Sequence, residues 1–459
     1  MDIMEPVHGT AYLLSVAAIA VALLLVLIMK VKLHAFLSLV LVSLLTAVAA
    51  GIPLGDVPDT LLTGFGGTLG SVALLVALGV MLGRLLERTG GAQVLADTLI
   101  ARFGEKRAPF ALGVAALIFG FPIFFDAGLV IFLPIIFSVA RRFGGSILLY
   151  ALPTAGAFAA MHAIVPPHPG PVAAADLTGG DIGLTLILGV PVAVVAWFVG
   201  SYLVGTRLGR RFVTTPAALF GDAEDADAPT YAPPRFIAVL GVLLFPLILI
   251  CLNTGVSTLQ TAGAISEDAP WADALILLGQ TPVALLLTVL LSLVVLAPGR
   301  FSVSKATALM DDALGPVCAI ILITGAGGMF GGVLRASGIG ASLTESLSDL
   351  GFSLILQAFL IAAALRVAQG SATVALTTTA GLVSAQVAEV GLGNFDIALL
   401  VFAIAAGATV LSHVNDSGFW LVSRFFGMDE KTTLKTWTVM ETTLGLAVFA
   451  LASLLWVVF

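Results

Sequence analysis

The chain has 459 residues, 59% hydrophobic and 10% charged, with a mean hydropathy of +1.13 and a formal net charge of −7. Soluble domains are nearer half apolar and a quarter charged, and they cannot bury this much apolar surface. The composition excludes a soluble enzyme, a nucleic-acid binder and a secreted disulfide scaffold. The unbroken apolar runs of near twenty residues argue against the ten-residue alternation of a β-barrel.

An all-α polytopic membrane protein is the expected fold class, and 49 glycines and 21 prolines suit helices packed in lipid. A span needs about 20 apolar residues to cross about 30 Å of hydrocarbon. Residues 10–29 form the first candidate, and the first lysine is Lys30, so the run reads as a retained span and not a cleaved signal. Spans follow at 33–51 and 64–86. Segment 87–108 mixes polar and apolar residues and reads as an interfacial helix. Residues 109–140 are too long for one upright helix and too short for two crossings. They carry a break at Phe124-Phe125-Asp126-Ala127-Gly128, which fits two half-length helices forming a re-entrant hairpin.

Spans 145–165 and 183–206 lead into a solvated cytoplasmic linker at 207–235, where Asp222, Glu224, Asp225 and Asp227 hold much of the negative charge. Spans 236–254, 280–298 and 314–334 follow, with a second interfacial segment at 335–350. A second hairpin at 352–386 breaks at Gln369-Gly370-Ser371-Ala372-Thr373, and spans 396–412 and 436–459 complete the chain. Cys251 and Cys318 fall in apolar runs and supply neither a disulfide framework nor metal spacing.

Basic residues test this arrangement, because cytoplasmic loops carry the excess of Lys and Arg. Lys30, Lys32, Arg84, Arg88, Arg102, Lys106 and Arg107 place their segments inside, as do Arg141, Arg142, Arg207, Arg210 and Arg211. Arg300, Lys305, Arg424, Lys431 and Lys435 do the same further on, whereas 52–62, 172–182, 255–279 and 387–395 lack both residues and read as outside. Both flanks of 109–140 then lie on one side. Arg335 alone falls in a segment assigned outside. The result is ten crossings plus two hairpins.

The halves resemble each other: Met81-Leu82-Gly83-Arg84 aligns with Met329-Phe330-Gly331-Gly332, and Gly156…His162 matches Gly407…His413. Five crossings per half force the second half to be inverted, the plan by which many secondary transporters build a midplane site. The first repeat is 10–206, with scaffold 10–86 and a hairpin and transport part at 109–206. The second is 236–459, with scaffold 236–334 and a transport part at 351–459.

Asp126 is the only acid between Glu105 and Asp176, and an acid at membrane depth is a functional candidate; its alternative is a structural role at a wet vestibule. The run His162 to Pro171, with His168 and four prolines, must break a helix, and Ser412-His413-Val414-Asn415-Asp416-Ser417-Gly418-Phe419-Trp420 breaks its counterpart. Such breaks leave half-helix N-termini facing the midplane, where partial positive charge attracts an anion. Ser371, Thr373, Thr377, Thr378 and Thr379 suit hydroxyl recognition. Two histidines six apart make a poor zinc site, and no metal or cofactor is expected. Arg366 could pair with a substrate carboxylate, pair with an acid of the chain, or snorkel, and Glu441 is a weaker coupling candidate. No P-loop or GxSxG pattern occurs.

The four runs around Asp126, His162–Pro171, Gln369–Thr373 and Ser412–Trp420 resemble the gluconate:proton symporter family of the ion-transporter superfamily, over nearly the whole chain. Members often carry Glu where this chain has Asp126. The resemblance implies a scaffold domain, a moving transport domain, an elevator mechanism, a homodimer, and sugar acids or, in one branch, D-serine as substrates. The expected protein lies in the cytoplasmic membrane and imports a gluconate-like organic anion with protons. Its expected substrate-binding residues are Phe125, Asp126, Gly128, His162, His168, Gly370, Ser371, Thr373, His413, Asn415, Asp416 and Ser417. Asp126, His162 and His413 are the expected proton carriers. A sodium-coupled carrier of the same architecture, a membrane-embedded hydrolase using the histidines, and a passive channel are the alternatives.

Overall fold

Apolar segments in lipid must satisfy their backbone groups internally, and every regular element among the described residues of this computed structural model is a helix. The structure describes residues 7–121, 123–166, 168–214, 232–261, 265–266, 269–339 and 352–458. Most of the expected linker, 215–231, and most of the second interfacial segment, 340–350, lie outside the described residues. In the first half the helices are α1 (Thr10–Val26, continued as a π-turn to Val31), α2 (Ala35–Ala49), α3 (Val57–Arg88), α4 (Gly91–Phe103) and α5 (Ala108–Gly120). Then come α6 (Phe125–Phe143), α7 (Leu148–Ile164), α8 (Pro169–Leu177), α9 (Ile182–Ala196, with a π-turn to Tyr202) and α10 (Leu203–Arg211). The second half comprises α11 (Phe236–Thr261), α12 (Pro270–Leu278), α13 (Thr281–Val295), α14 (Val303–Ala336), α15 (Leu354–Gln369), α16 (Ala372–Val390), α17 (Asn394–Thr409), α18 (Ser417–Phe425) and α19 (Glu430–Val458).

Seven of the described helical segments are long and apolar enough to cross a membrane. Three expected crossings are shorter: α2 and α13 have 15 residues and α17 has 16. At 1.5 Å per residue they span about 23 Å, less than the ~30 Å hydrocarbon core. α12 and α13 together pass the same test but meet at a 68° bend. Burial explains which helices need lipid. Only 33% of the most apolar window of Thr10–Val31 and 28% of that of Phe236–Ser257 is buried, against 89% for Leu148–Leu177. The outer helices therefore display their Leu and Val side chains outward, and α6, α7 and α17 fill the centre.

Small residues set the close contacts, as expected where helices have no hydrophobic drive to associate. The long helices α3 and α14 pack against each other through Gly64, Gly325 and Gly328: a Cβ at Gly64 would lie 3.1 Å from the Met329 Cα. Both helices begin several residues before the expected spans 64–86 and 314–334. Elsewhere the Trp197 indole donates to the Pro153 carbonyl at 2.9 Å and packs over Gly113. Gly200 sits against the backbone of α19, where a Cβ would be 2.6 Å from the Thr443 carbonyl oxygen and the Leu444 Cα.

Backbone atoms cannot step aside as a side chain can. Gly200→Ala is therefore expected to destabilise the protein by about 1–3 kcal/mol, read as a lower thermal unfolding temperature in detergent. Gly241→Ala, where nothing lies within 4 Å, is expected to leave it unchanged.

Candidate solute-binding cavity

Residues 109–140 are divided between two helices, with α5 ending at Gly120 and α6 beginning at Phe125. The turn lies slightly earlier than expected, because Phe124 already takes the extended N-cap conformation (φ −57°, ψ 149°). Asp126 is thus in the first turn of α6 instead of the connecting loop. In the second pair, α15 ends at Gln369 and α16 begins at Ala372. Gly370 turns the chain at φ +76°, and a Cβ there would lie 2.1 Å from the Asn415 carbonyl oxygen, so glycine is required twice over. The other two breaks separate α7 from α8 and α17 from α18. Pro169 opens α8, where its missing N–H costs nothing. In the second break Leu411 takes φ +56°, rare for a non-glycine residue. Its N–H donates to the Thr442 hydroxyl at 3.1 Å.

The carbonyls orphaned at the two inner helix ends are met by the breaks. His168 Nε2 lies 2.8 Å from the Gly120 carbonyl oxygen. His413 Nε2 is 2.9 Å from the Val367 carbonyl, and Asn415 Nδ2 donates to Val367 at 2.7 Å and to Ala368 at 3.1 Å. Each histidine therefore pins the break of one crossing to the end of a half-helix.

The N-terminal ends of the following helices border one cavity of about 670 Å³: Phe125 and Asp126 of α6, Pro169 of α8, Ser371 and Thr373 at α16, and Ser417 of α18. Two of these ends have side-chain caps. Ser371 accepts from the Val374 N–H at 3.3 Å, and Asp416 Oδ1 accepts from the Gly418 N–H at 3.0 Å. α6 and α8 have no side-chain cap hydrogen bond. Four helix dipoles thus direct their positive ends at the same space.

Beside it lies a buried charge network. Arg366 donates to the Gly370 carbonyl and pairs with Asp416 Oδ2, which also accepts from the Ser412 hydroxyl. Ser412 in turn accepts from the Trp437 indole N–H at 2.8 Å. Of the roles the sequence leaves open for Arg366, the structure shows pairing with an acid of the chain. The network joins α15, the break before α18, and α19.

Of the expected site residues, Phe125, Asp126, His162, Gly370, Ser371, Thr373, Asn415, Asp416 and Ser417 border the cavity. Gly128, His168 and His413 are not among its lining. Gly128 faces Phe158, whose ring would lie 2.4 Å from an added Cβ, and the histidines are turned to carbonyls. Asp126 makes no ion pair or hydrogen bond among the described residues, and His162 Nδ1 is buried without a partner. Gln369 Oε1, Asn415 Oδ1 and Glu441 Oε1 are likewise buried, unpartnered and in cavity-lining residues. Sequence reasoning did not select Gln369, Trp437 or Arg335, nor the α3 face at Thr63 and Thr68. The available signals were hydroxyls within an apolar, Gly-rich span at 63–70 and a lone arginine on the side expected to be free of basic residues. Among the described residues no cluster of three His, Cys, Asp or Glu could hold a metal ion.

Removing one member of a buried ion pair strands the other charge. Asp416→Asn is expected to destabilise the fold by about 3–5 kcal/mol, and combining it with Arg366→Gln should recover part of that loss. Thermal unfolding of the two single variants and the double variant measures both.

Comparisons with known proteins place the chain in a family. Residues 12–458 match the family described as GntP family permease. The inner membrane permease YgbN of Escherichia coli (strain K12) is 40% identical over 460 residues, covering 98% of this chain and 99% of that protein. A gluconate permease of Pseudomonas aeruginosa is 38% identical over 448 residues, covering 97% and 98%. The Gnt-II system L-idonate transporter of Escherichia coli (strain K12) is 35% identical over 420 residues, covering 90% and 92%. A family match over nearly the whole chain and relatives named as permeases and transporters place this protein among transporters, not enzymes. The chain belongs to the GntP permease family and is a multi-pass membrane permease.

Proposed function

We propose that this permease imports gluconate or a closely related sugar acid together with protons across the cytoplasmic membrane. The observation that carries the reading is the meeting of four half-helix N-termini at one cavity, which favours an anion. Hydroxyl-bearing Ser371, Thr373 and Ser417 and the amides of Gln369 and Asn415 suit a polyhydroxylated solute. The relatives named for gluconate and L-idonate point to the same class.

Charge balance supports proton coupling. Three acids, Asp126, Asp416 and Glu441, and two arginines, Arg335 and Arg366, border the cavity, a net charge of −1 when all are ionised. A monocarboxylate would raise this to −2 in a low dielectric, and one proton on an acid offsets the added charge. Asp416 is held by Arg366, so Asp126, which has no partner among the described residues, is the leading carrier. His162 is second, and His413 supports the site from behind through Val367.

The spacing of elements supports two inverted repeats. α2 and α13 are both 15 residues long and start at 35 and 281, 246 apart. α6 and α16 both have 19 residues and start at 125 and 372, 247 apart. α8 and α18 both have nine and start at 169 and 417, 248 apart. In this reading α5–α6 and α15–α16 are re-entrant hairpins, 10–86 and 236–334 are the scaffold, and 109–206 and 351–459 move as an elevator within each copy of a homodimer.

Uptake by proteoliposomes tests the function. Gluconate is expected to accumulate when a pH gradient, acidic outside, is imposed, and to ignore a sodium gradient. Asp126→Asn should lose accumulation by at least tenfold while keeping gluconate exchange. Uptake that follows sodium and ignores pH overturns proton coupling. Single cysteines at 106 and 142, in a background lacking Cys251 and Cys318, should label from the same face of the membrane. Labelling from opposite faces would remove the first hairpin.

A further inference from the structure

We infer that Arg335 receives the carboxylate of the transported sugar acid, so that the anionic end of the solute lies toward α14 and its hydroxyls toward Gln369, Asn415 and Glu441. This rests on the sugar-acid reading above and deepens it.

Two arginines border the cavity, and they are not equivalent. Arg366 is committed to Asp416 and to the Gly370 carbonyl. Arg335, half-buried in the last turn of α14, makes no ion pair or hydrogen bond among the described residues. Its position is set by Gly331, one turn earlier on the same helix face. A Cβ at Gly331 would lie 2.4 Å from the Gln369 carbonyl oxygen, so glycine there lets the turn between α15 and α16 rest directly on α14. The Arg335 Nη1 is 3.9 Å from that same Cβ position. A guanidinium with no partner among the described residues therefore stands beside the turn from which α16 starts.

Another part of the wall presents acceptors. Gln369 and Asn415 are only 4% and 3% exposed, and each keeps one amide oxygen without a partner. Glu441, 4% exposed, keeps Oε1 without one. Buried acceptors of this kind are costly unless a donor meets them. Hydroxyls donate, whereas a carboxylate only accepts and would be repelled by these oxygens and by Asp126. The carboxylate needs donors, which the wall offers as the Arg335 fork and the α16 N-terminus. The same assignment accounts for the one basic residue on the side otherwise free of Lys and Arg: Arg335 faces the cavity and not a loop.

Proteoliposome uptake by wild type, Arg335→Lys and Arg335→Gln tests this, with gluconamide, the neutral amide bearing the same hydroxyls, as competitor. Arg335→Gln is expected to raise the gluconate KM about tenfold or more. Inhibition by gluconamide should stay within about twofold of wild type, and Arg335→Lys should fall between. A gluconate KM unchanged in Arg335→Gln overturns the assignment, and so does an equal loss of gluconate transport and gluconamide inhibition, which is what a purely structural role at the end of α14 gives. Should Arg335→Gln fail to fold, Arg335→Lys decides: an unchanged KM overturns the assignment, because an ammonium cannot reproduce a two-pronged contact. Wild type that takes up no sugar acid overturns the function itself, a separate result.

Discussion

Interrupting a helix inside a membrane leaves carbonyls at one end and N–H groups at the other, and both need partners where water is scarce. This protein resolves the two ends differently. At the inner ends of α5 and α15 the carbonyls are taken by His168, His413 and Asn415. At the starts of α6, α8, α16 and α18 the N–H side faces a shared cavity. The protein thus internalises the negative ends of its broken helices and leaves the positive ends available. A solute-accessible space of favourable sign for an anion follows from backbone geometry before any charged side chain is counted.

The buried pair of Arg366 and Asp416 refines that field. Asp416 is the N-cap of α18, where an unpaired negative charge would compete with an anion. By pairing with Arg366 and accepting from Ser412 and Gly418, it becomes part of the wall. Because Arg366 also donates to Gly370, one guanidinium holds the α15–α16 turn, the break before α18 and, through Ser412 and Trp437, the final helix in one arrangement. Ion pairs at this depth gain little stability on balance, and their value lies in fixing a geometry.

Much of this was legible in the sequence. Apolar runs marked the helices, and the polar or Pro-rich interruptions at 109–140, 162–171, 369–373 and 412–420 marked the breaks, because lipid tolerates such residues only where a cavity satisfies them. Which of the polar residues turn away from the cavity was not legible. His168 and His413 are polar, deep and close in sequence to the site, yet they serve carbonyls on other helices. That depends on the approach of segments nearly fifty residues away. The α3 and α14 contribution was also hidden, since the hydroxyls of Thr63 and Thr68 in their Gly-rich span show which way they face only once the two helices are seen to pack together. The turn at 121–124 was misplaced by a few residues, as helix ends usually are from pattern alone.

Gly370 carries a consequence for how proteins of this design diversify. Its left-handed backbone and its approach to the Asn415 carbonyl close the position to all nineteen alternatives, whatever solute is carried. On either side of it Gln369, Ser371 and Thr373 border the cavity, and Ser371 also caps the helix that follows. The pivot is fixed, so the shape of the cavity at this turn is open to change only through the residues that flank it.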